Sequence, residues 1–198
     1  MLGDGTLEPY KATSARLAVR RQVKHEEYNR WILSVTKENL VWSAPKYHHS
    51  QTLLDGRVVQ GRQHCIRTQR MRGLAVWRQR WYPSGVKIVP RDLLLTPLTM
   101  AVWLMDDGAL GFSKQRSGGK VCPKITFHTN GFEREDVEFL CGLLKRDYDV
   151  KSSISKRGEI EIGGRIQVPK IVNAVKPFVE QVSCMMYKID LRRMTPME

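Results

Sequence analysis

Hydrophobic positions change period several times along the chain, and each change marks an element. In TSARLAVRRQVK (13–24), Leu17 and Val19 alternate with polar neighbours, the period of a half-buried strand. In HEEYNRWILSVTKENL (25–40), Tyr28, Trp31, Ile32 and Val35 recur at three- and four-residue spacing and predict one apolar helix face. SAPKYHHS (43–50) reads as a loop, and LLDGRVVQGRQ (53–63) as a hairpin around Asp55-Gly56. Pro90 breaks regular structure in the connector VPRD (89–92). In LLTPLTMAVWLMDDGAL (94–110), Thr96 suits a helix cap and Pro97 the first turn. Leu98 to Met105 is apolar almost all round, the mark of a buried helix, and it ends at Asp106-Asp107-Gly108, where the glycine permits a turn. KVCPKITFHTN (120–130) alternates as a strand with Ile125 and Phe127 on one face. FEREDVEFLCGLLKRDYDV (132–150) predicts a helix with Val137, Leu140, Cys141 and Leu144 inward. SISKRGEIEIGG (153–164) predicts a hairpin turning at Arg157-Gly158, and VPKIVNAVKPFV (168–179) a last helix ended near Pro177.

The order repeats. An acid-glycine pair, a hairpin, a helix, a second hairpin and a helix occur twice, starting from LGDG and from MDDG, with Asp4 and Asp107 103 residues apart. This predicts two halves, 1–92 and 93–198, related by an internal pseudo-two-fold. A chain of 198 residues accommodates two such halves.

Charge gives the repeat a direction. Lys and Arg number 33 against 20 Asp and Glu, a net charge of +13, which points to a polyanionic partner. The 41% apolar content excludes a disordered basic tail. The first half holds 17 basic and 7 acidic residues, the second 16 and 13. Arg62, Arg67, Arg70, Arg72, Arg78 and Arg80 crowd one stretch with Trp77, Trp81 and Tyr82 beside them, and no acid lies between 57 and 91. Arginines among aromatics suit phosphate contacts with stacking or groove packing.

Other classes fall away. No run of 18 uncharged apolar residues predicts a membrane span. The start, MLGDGTLEPYKATSAR, lacks the apolar run of a signal peptide, and Asp4 and Glu8 come too early for a transit peptide. Cys65, Cys122, Cys141 and Cys184 form no CxxC pair and read as free thiols in a reducing compartment. His25, His48, His49, His64 and His128 show no zinc-ligand spacing.

The two acids carry the candidate chemistry. A carboxylate at a helix C-terminus is disfavoured by the macrodipole, so Asp106 and Asp107 after a buried helix demand a compensating charge. Divalent cations neutralise such carboxylates, oxygen ligands suit Mg²⁺, and carboxylate-held metals facing a phosphate hydrolyse phosphodiesters.

At these residues the chain resembles the LAGLIDADG homing endonucleases in their single-chain, two-motif form, as encoded in organellar introns. LTPLTMAVWLMDDGAL is close to the second motif and MLGDGTL to the end of the first. RRQVKHEEYNRWI, ITFHTNGFEREDVEFL and IVNAVKPFVEQVSCMMYKI extend the likeness over nearly the whole chain. The resemblance implies an α+β fold of two pseudo-symmetric αββαββα halves, with antiparallel saddle-shaped sheets and the motif helices at the centre. It implies Asp4 and Asp107 as catalytic, metal-binding acids, with the carbonyls of Gly3 and Asp106 completing Mg²⁺ coordination. Arg70 or Arg72 would fill a basic role in the first half and Lys156 or Arg157 in the second. Asn130 would be a polar partner, with Arg20 or Gln22 its first-half counterpart. The family's first motif helix begins about two turns ahead of the acid, so the resemblance implies a helix largely upstream of Met1, or one nearly absent.

The expectation is a monomeric, Mg²⁺-dependent endonuclease that cuts both strands of a specific DNA site through the major groove, in a mitochondrion or chloroplast, not secreted and not at a membrane. The expected groove-facing residues are Arg16, Arg20, Gln22, Arg62, His64, Arg67 and Arg72 in the first half and Thr126, His128, Lys156 and Arg157 in the second. The alternative is a non-cleaving relative that binds structured RNA, as an intron maturase or a ribonucleoprotein component.

Overall fold

The computed structural model describes residues 2–10, 13–54, 57–114 and 121–192. The chain divides into two compact units, Gly3–Ser84 and Gly85 onward.

The first unit holds β1 (Thr6–Tyr10), β2 (Ser14–Gln22), α1 (Glu26–Thr36), β3 (Lys46–Leu54), β4 (Arg57–Arg67) and α2 (Arg72–Trp81). Its strands form one antiparallel sheet in the order β1-β2-β4-β3. β3 and β4 pair from Lys46↔Cys65 to Leu54↔Arg57. That register fits the predicted hairpin, although Asp55 and Gly56 themselves lie outside the described residues. The segment predicted as a loop, 43–50, instead contributes its last five residues to β3. One face of the sheet carries both helices. Leu74 of α2 packs with Leu7 and Ala15, and Leu17, Met71 and Ala75 close around them.

The α1 side of that face is polar inside. Arg21 is 6% exposed, and its Nη1 donates to Asn29 Oδ1 at 2.7 Å. Asn29, wholly buried, lies 3.1 Å from His64 Nδ1 and donates from Nδ2 to the His64 carbonyl at 2.9 Å. The Arg21 guanidinium also sits 4.2 Å over the Tyr28 ring. A buried charge is tolerated when such partners surround it. Asn29 thus joins Tyr28, Trp31 and Ile32 on the inward face of α1, while Val35, expected inward, is 40% exposed.

The second unit holds α3 (Pro97–Asp107), β5 (Gly108–Lys114), β6 (Val121–Phe127), α4 (Arg134–Tyr148), β7 (Ser153–Ile154), β8 (Ile160–Gly163) and α5 (Gln167–Val179), then a 3₁₀ segment at Ser183–Lys188. Its sheet repeats the first topology, β5-β6-β8-β7. The connector 85–92, assigned by sequence to the first half, packs here. The Val89 N–H donates to Asp136 Oδ2 at 3.0 Å, and Arg91 Nη2 lies 3.0 Å from Asp136 Oδ1.

Thr96 caps α3 as expected, accepting from the Thr99 N–H at 3.2 Å, with Pro97 in the first turn. Met100, Ala101, Trp103, Leu104 and Met105 are buried, and Trp103 stacks on Phe127 with ring centroids 4.0 Å apart. α4 buries Val137, Leu140, Leu143 and Leu144, whereas Cys141 is only half-buried. Pro177 does not end α5, which runs on to Val179. All four cysteines are free thiols.

Gly108 joins α3 to β5 without a loop. Its φ of −84° is ordinary for any residue, so conformational freedom is not the reason for glycine. Space is: a Cβ there would stand 2.5 Å from Leu104 Cδ1 and 2.6 Å from the Leu104 carbonyl oxygen. Gly108→Ala should therefore move the end of α3 and lower stability by about 1–3 kcal/mol, read from urea unfolding; an unchanged midpoint would contradict this. His64 supplies a second test. Burial lowers its pKa below the ordinary 6.5, with the Glu26 carboxylate opposing the shift. The neutral imidazole stabilises the fold above pH 6.5, and this contribution is lost as pH falls below that value. His64→Gln should flatten the dependence of the unfolding midpoint on pH between 7 and 5.

Candidate nucleic-acid interface and acidic positions

Residues paired across strands share a face of the sheet. In the first unit the pairs Glu8↔Arg16, Ala18↔Arg67, Arg20↔Cys65, Gln22↔Gln63, Lys46↔Cys65 and His48↔Gln63 define the face without helices. Among the described residues, Arg16, Arg20, Lys46 and Arg67 lie there against a single nearby acid, Glu8. Its two carboxylate oxygens meet Arg16 Nε at 2.6 Å and Arg20 Nη2 at 3.0 Å. Arg16, Lys46, Cys65, Arg67 and Thr68 line a shallow pocket of about 120 Å³ on this face. Four cations around one carboxylate, two of them paired with it, leave a positive surface suited to phosphates.

Arg16, Arg20, Gln22 and Arg67 thus occupy the face expected of them. Arg62 and His64 do not. Both fall one residue out of phase, on the helix-bearing side. His64 is 2% exposed and held by Asn29, so no outside ligand reaches it. Arg62 lies 4.3 Å over the Tyr47 ring, its partner on the same side. A one-residue change of phase moves a strand residue to the opposite face, which is why composition alone misassigned them.

In the second unit the pairs Ala109↔Thr126, Thr126↔Glu161 and Lys124↔Gly163 define the open face. Thr126 and His128 lie there as expected, together with Glu159, Glu161 and Lys124. Both glutamates on this face have a partner: Lys124 Nζ meets Glu161 at 2.8 Å, and His128 Nδ1 lies 2.7 Å from Glu159. Lys156 and Arg157 stand exposed in the turn at its edge, where the Gly158 N–H donates to the Ser155 carbonyl at 3.0 Å.

Each unit presents an acid at the entry to its first strand. Asp4 sits in a bend two residues before β1, 44% exposed at the side chain, with Oδ2 3.6 Å from Arg21 Nε. Arg21 escaped the sequence reading. Its signal is a charge at the inward phase of β2, in line with Val19, which demands buried partners.

Arg70 does not accompany Asp4. It lies 3.5 Å over the ring of Tyr10, at the far end of β1. That strand rises about 3.4 Å per residue, so Tyr10 is on the order of 20 Å from Asp4. Arg72 opens α2 beyond the same end. The basic role expected of Arg70 or Arg72 beside Asp4 therefore has no support in the geometry.

Asp107 is the last residue of α3 and half-buried, as is Asp106. The Asp107 carbonyl accepts from the His128 N–H at 3.0 Å, which sets residues 128–130 beside the helix end. Thr129 Oγ1 donates to the Gly158 carbonyl at 2.6 Å and ties the same segment to the Lys156–Arg157 turn. Asn130 thus sits in one corner with Asp107 and that turn. Lys188 enters this corner unpredicted. It is 8% exposed, and its Nζ donates to the Gly108 carbonyl, next to Asp107. A cation at the C-terminus of α3 offsets the macrodipole and the paired acids, the compensation their position demanded. Its signal in the sequence was a lysine within the apolar run around Met185 and Ile189.

Among the described residues no group of three or more His, Cys, Asp or Glu side chains gathers as a metal site. The donors each unit offers beside its acid are a carboxylate and backbone carbonyls. These are hard oxygen ligands that suit Mg²⁺ with water and phosphate oxygens filling the remaining positions.

Known proteins resemble this chain in sequence and in fold. The chain is 31% identical over 115 residues to the cytochrome b mRNA maturase bI2 of Debaryomyces hansenii, covering 55% of this chain and 39% of that protein. It is 26% identical over 157 residues to a probable intron-encoded endonuclease 1 of Wickerhamomyces canadensis, covering 78% of this chain and 64% of the other. The chain thus spans less than two thirds of either relative. In fold it matches the homing endonuclease I-WcaI, solved bound to its DNA recognition sequence, with a TM-score of 0.76 at 24% identity over 96% of this chain and 81% of that one. The model of the LAGLIDADG DNA endonuclease family matches residues 1–171, and the chain belongs to that family.

Proposed function

We propose that the protein is a site-specific endonuclease that hydrolyses one phosphodiester on each strand of duplex DNA with Mg²⁺. The observation that carries this reading is the recurrence, in both units, of an acid at the entry to an antiparallel sheet whose other face is open. A pure binding module gains nothing from carboxylates placed toward phosphates. The intron-encoded endonuclease among its relatives and the DNA-bound neighbour in fold support it.

In this reading Asp4 and Asp107 are the metal-binding acids, with the carbonyls of Gly3 and Asp106 as further donors. A bound divalent cation supplies an activated water and neutralises charge on the phosphate and leaving oxygen. Arg21, clamped by Tyr28 and Asn29, orients the Asp4 carboxylate. Lys188 stands in the corner of Asp107 and takes the basic role assigned by sequence to Lys156 or Arg157, which then serve as phosphate contacts. Asn130 orients solvent beside Asp107. Arg16, Arg20, Gln22 and Arg67, with Lys46, grip the duplex backbone, and Thr126 and His128 face base edges. The cytochrome b mRNA maturase and the intron-encoded endonuclease among its relatives support an organellar setting for this activity.

A second reading, RNA binding in intron splicing without cleavage, draws on the maturase relatives. One assay separates the two. The purified chain is incubated with Mg²⁺ and a plasmid library of intron-free candidate sites. Double-strand cleavage is expected, with Asp107→Asn slowing it at least about a hundredfold and Lys188→Met about tenfold or more, while duplex affinity stays nearly constant. RNA binding without cleavage under any divalent metal would overturn the endonuclease reading.

A further inference from the structure

The arginine-aromatic stretch that dominates the sequence is only partly absorbed by the open sheet face. Of its arginines, Arg67 faces that surface, whereas Arg72, Arg78 and Arg80 ride on α2. That helix packs inward through Leu74 and Trp81, and Leu74 meets Leu7 and Ala15 on the helix-bearing side of the sheet. Its outer stripe therefore points away from the face assigned to duplex DNA.

The stripe has an unusual make-up for a solvated helix surface. Arg72, Val76 and Arg80 follow at four-residue spacing, with Gly73 and Trp77 alongside. Val76 is 62% exposed and Trp77 50% exposed. α2 itself contains no acid. The Arg80 guanidinium lies 5.1 Å from the centre of the Trp77 ring, and Arg78 lies 5.6 Å from that of Tyr82. Gly73 sits one turn before Trp77, where the side chain of a helical residue leans. A Cβ there would meet nothing within 4 Å, so packing does not require the glycine. Ala would favour the helix more. Glycine leaves the stripe open at this point.

We propose that the outer stripe of α2 is a second nucleic-acid site, taking unpaired nucleotides, with a base stacked on Trp77 and the flanking phosphates on Arg72 and Arg80. The chemistry selects the strand. An exposed indole offers a π-face, and only an unstacked base can use it, since duplex bases are closed against one another. Arg80, whose guanidinium lies 5.1 Å over the ring, and Arg72 on the same outer stripe supply phosphate contacts. This site goes beyond the endonuclease reading and needs neither metal nor cleavage.

The test uses the full chain without metal and two labelled 12-nucleotide single strands of one sequence, one RNA and one DNA, followed by fluorescence anisotropy. Either or both should bind, and the difference between them identifies the sugar preferred. Trp77→Ala should weaken binding about tenfold or more. Gly73→Leu, which fills the cleared space while leaving every charge in place, should do the same without loss of helix. Affinity for a duplex should change less than twofold in both variants. The proposal is overturned if Trp77→Ala and Gly73→Leu bind single strands as the parent does, or if an unlabelled duplex displaces the strand fully, which would put both ligands on one surface.

Discussion

The loop-free junction at Gly108 is the constraint on which the second unit depends. A helix that is buried over most of its surface turns straight into the first strand of a sheet, and Leu104 leaves no room there for a side chain. The junction fixes Asp107 at the point where helix and sheet meet. Three other parts of the unit then close on that point: residues 128–130 through the Asp107 carbonyl, the turn at 155–158 through Thr129, and Lys188 through the Gly108 carbonyl. The backbone on both sides of Asp107 is thereby fixed in place.

The first unit reaches a comparable result with different residues. Its acid precedes the strand in a bend, with the buried Arg21 beside it. Arg21 is costly to bury, and the cost is offset by Tyr28, Asn29 and the nearby Asp4. His64 closes that network from β4. The two units therefore share a topology while differing in charge. The open face of the first is cationic around Glu8, and that of the second sets Lys124 against Glu161 and the His128 ring against Glu159. The imbalance of 17 basic to 7 acidic residues in 1–92, against 16 to 13 in 93–198, has its structural expression here.

Much of this was legible from periodicity and caps. Thr96, Pro97 and the apolar run after them mark α3, and the alternation at Leu17 and Val19 marks β2. Strand phase was harder. Arg62 and His64 are close in sequence to Arg67 yet lie on the other face, because alternation decides side and the run contains polar residues at both phases. Arg70 takes a basic role in the first half by resemblance, whereas it lies over Tyr10 at the end of β1 far from Asp4. Arg21 and Lys188 went unseen because a lone charge within an apolar pattern states a need for partners without naming them. Gly108 was read as a turn glycine, when crowding by a side chain four residues back is what demands it.

The central claim is that the helix-free face of the first sheet is the surface that grips duplex DNA. The dependence of duplex affinity on salt tests it most directly, since each phosphate contact adds about 0.9 to the slope of log K against log salt. Arg20→Gln and Arg67→Gln should each lower that slope by about 1, whereas Arg80→Gln on α2 should leave it unchanged. A slope that ignores Arg20 and Arg67 but falls with Arg80 would contradict the account.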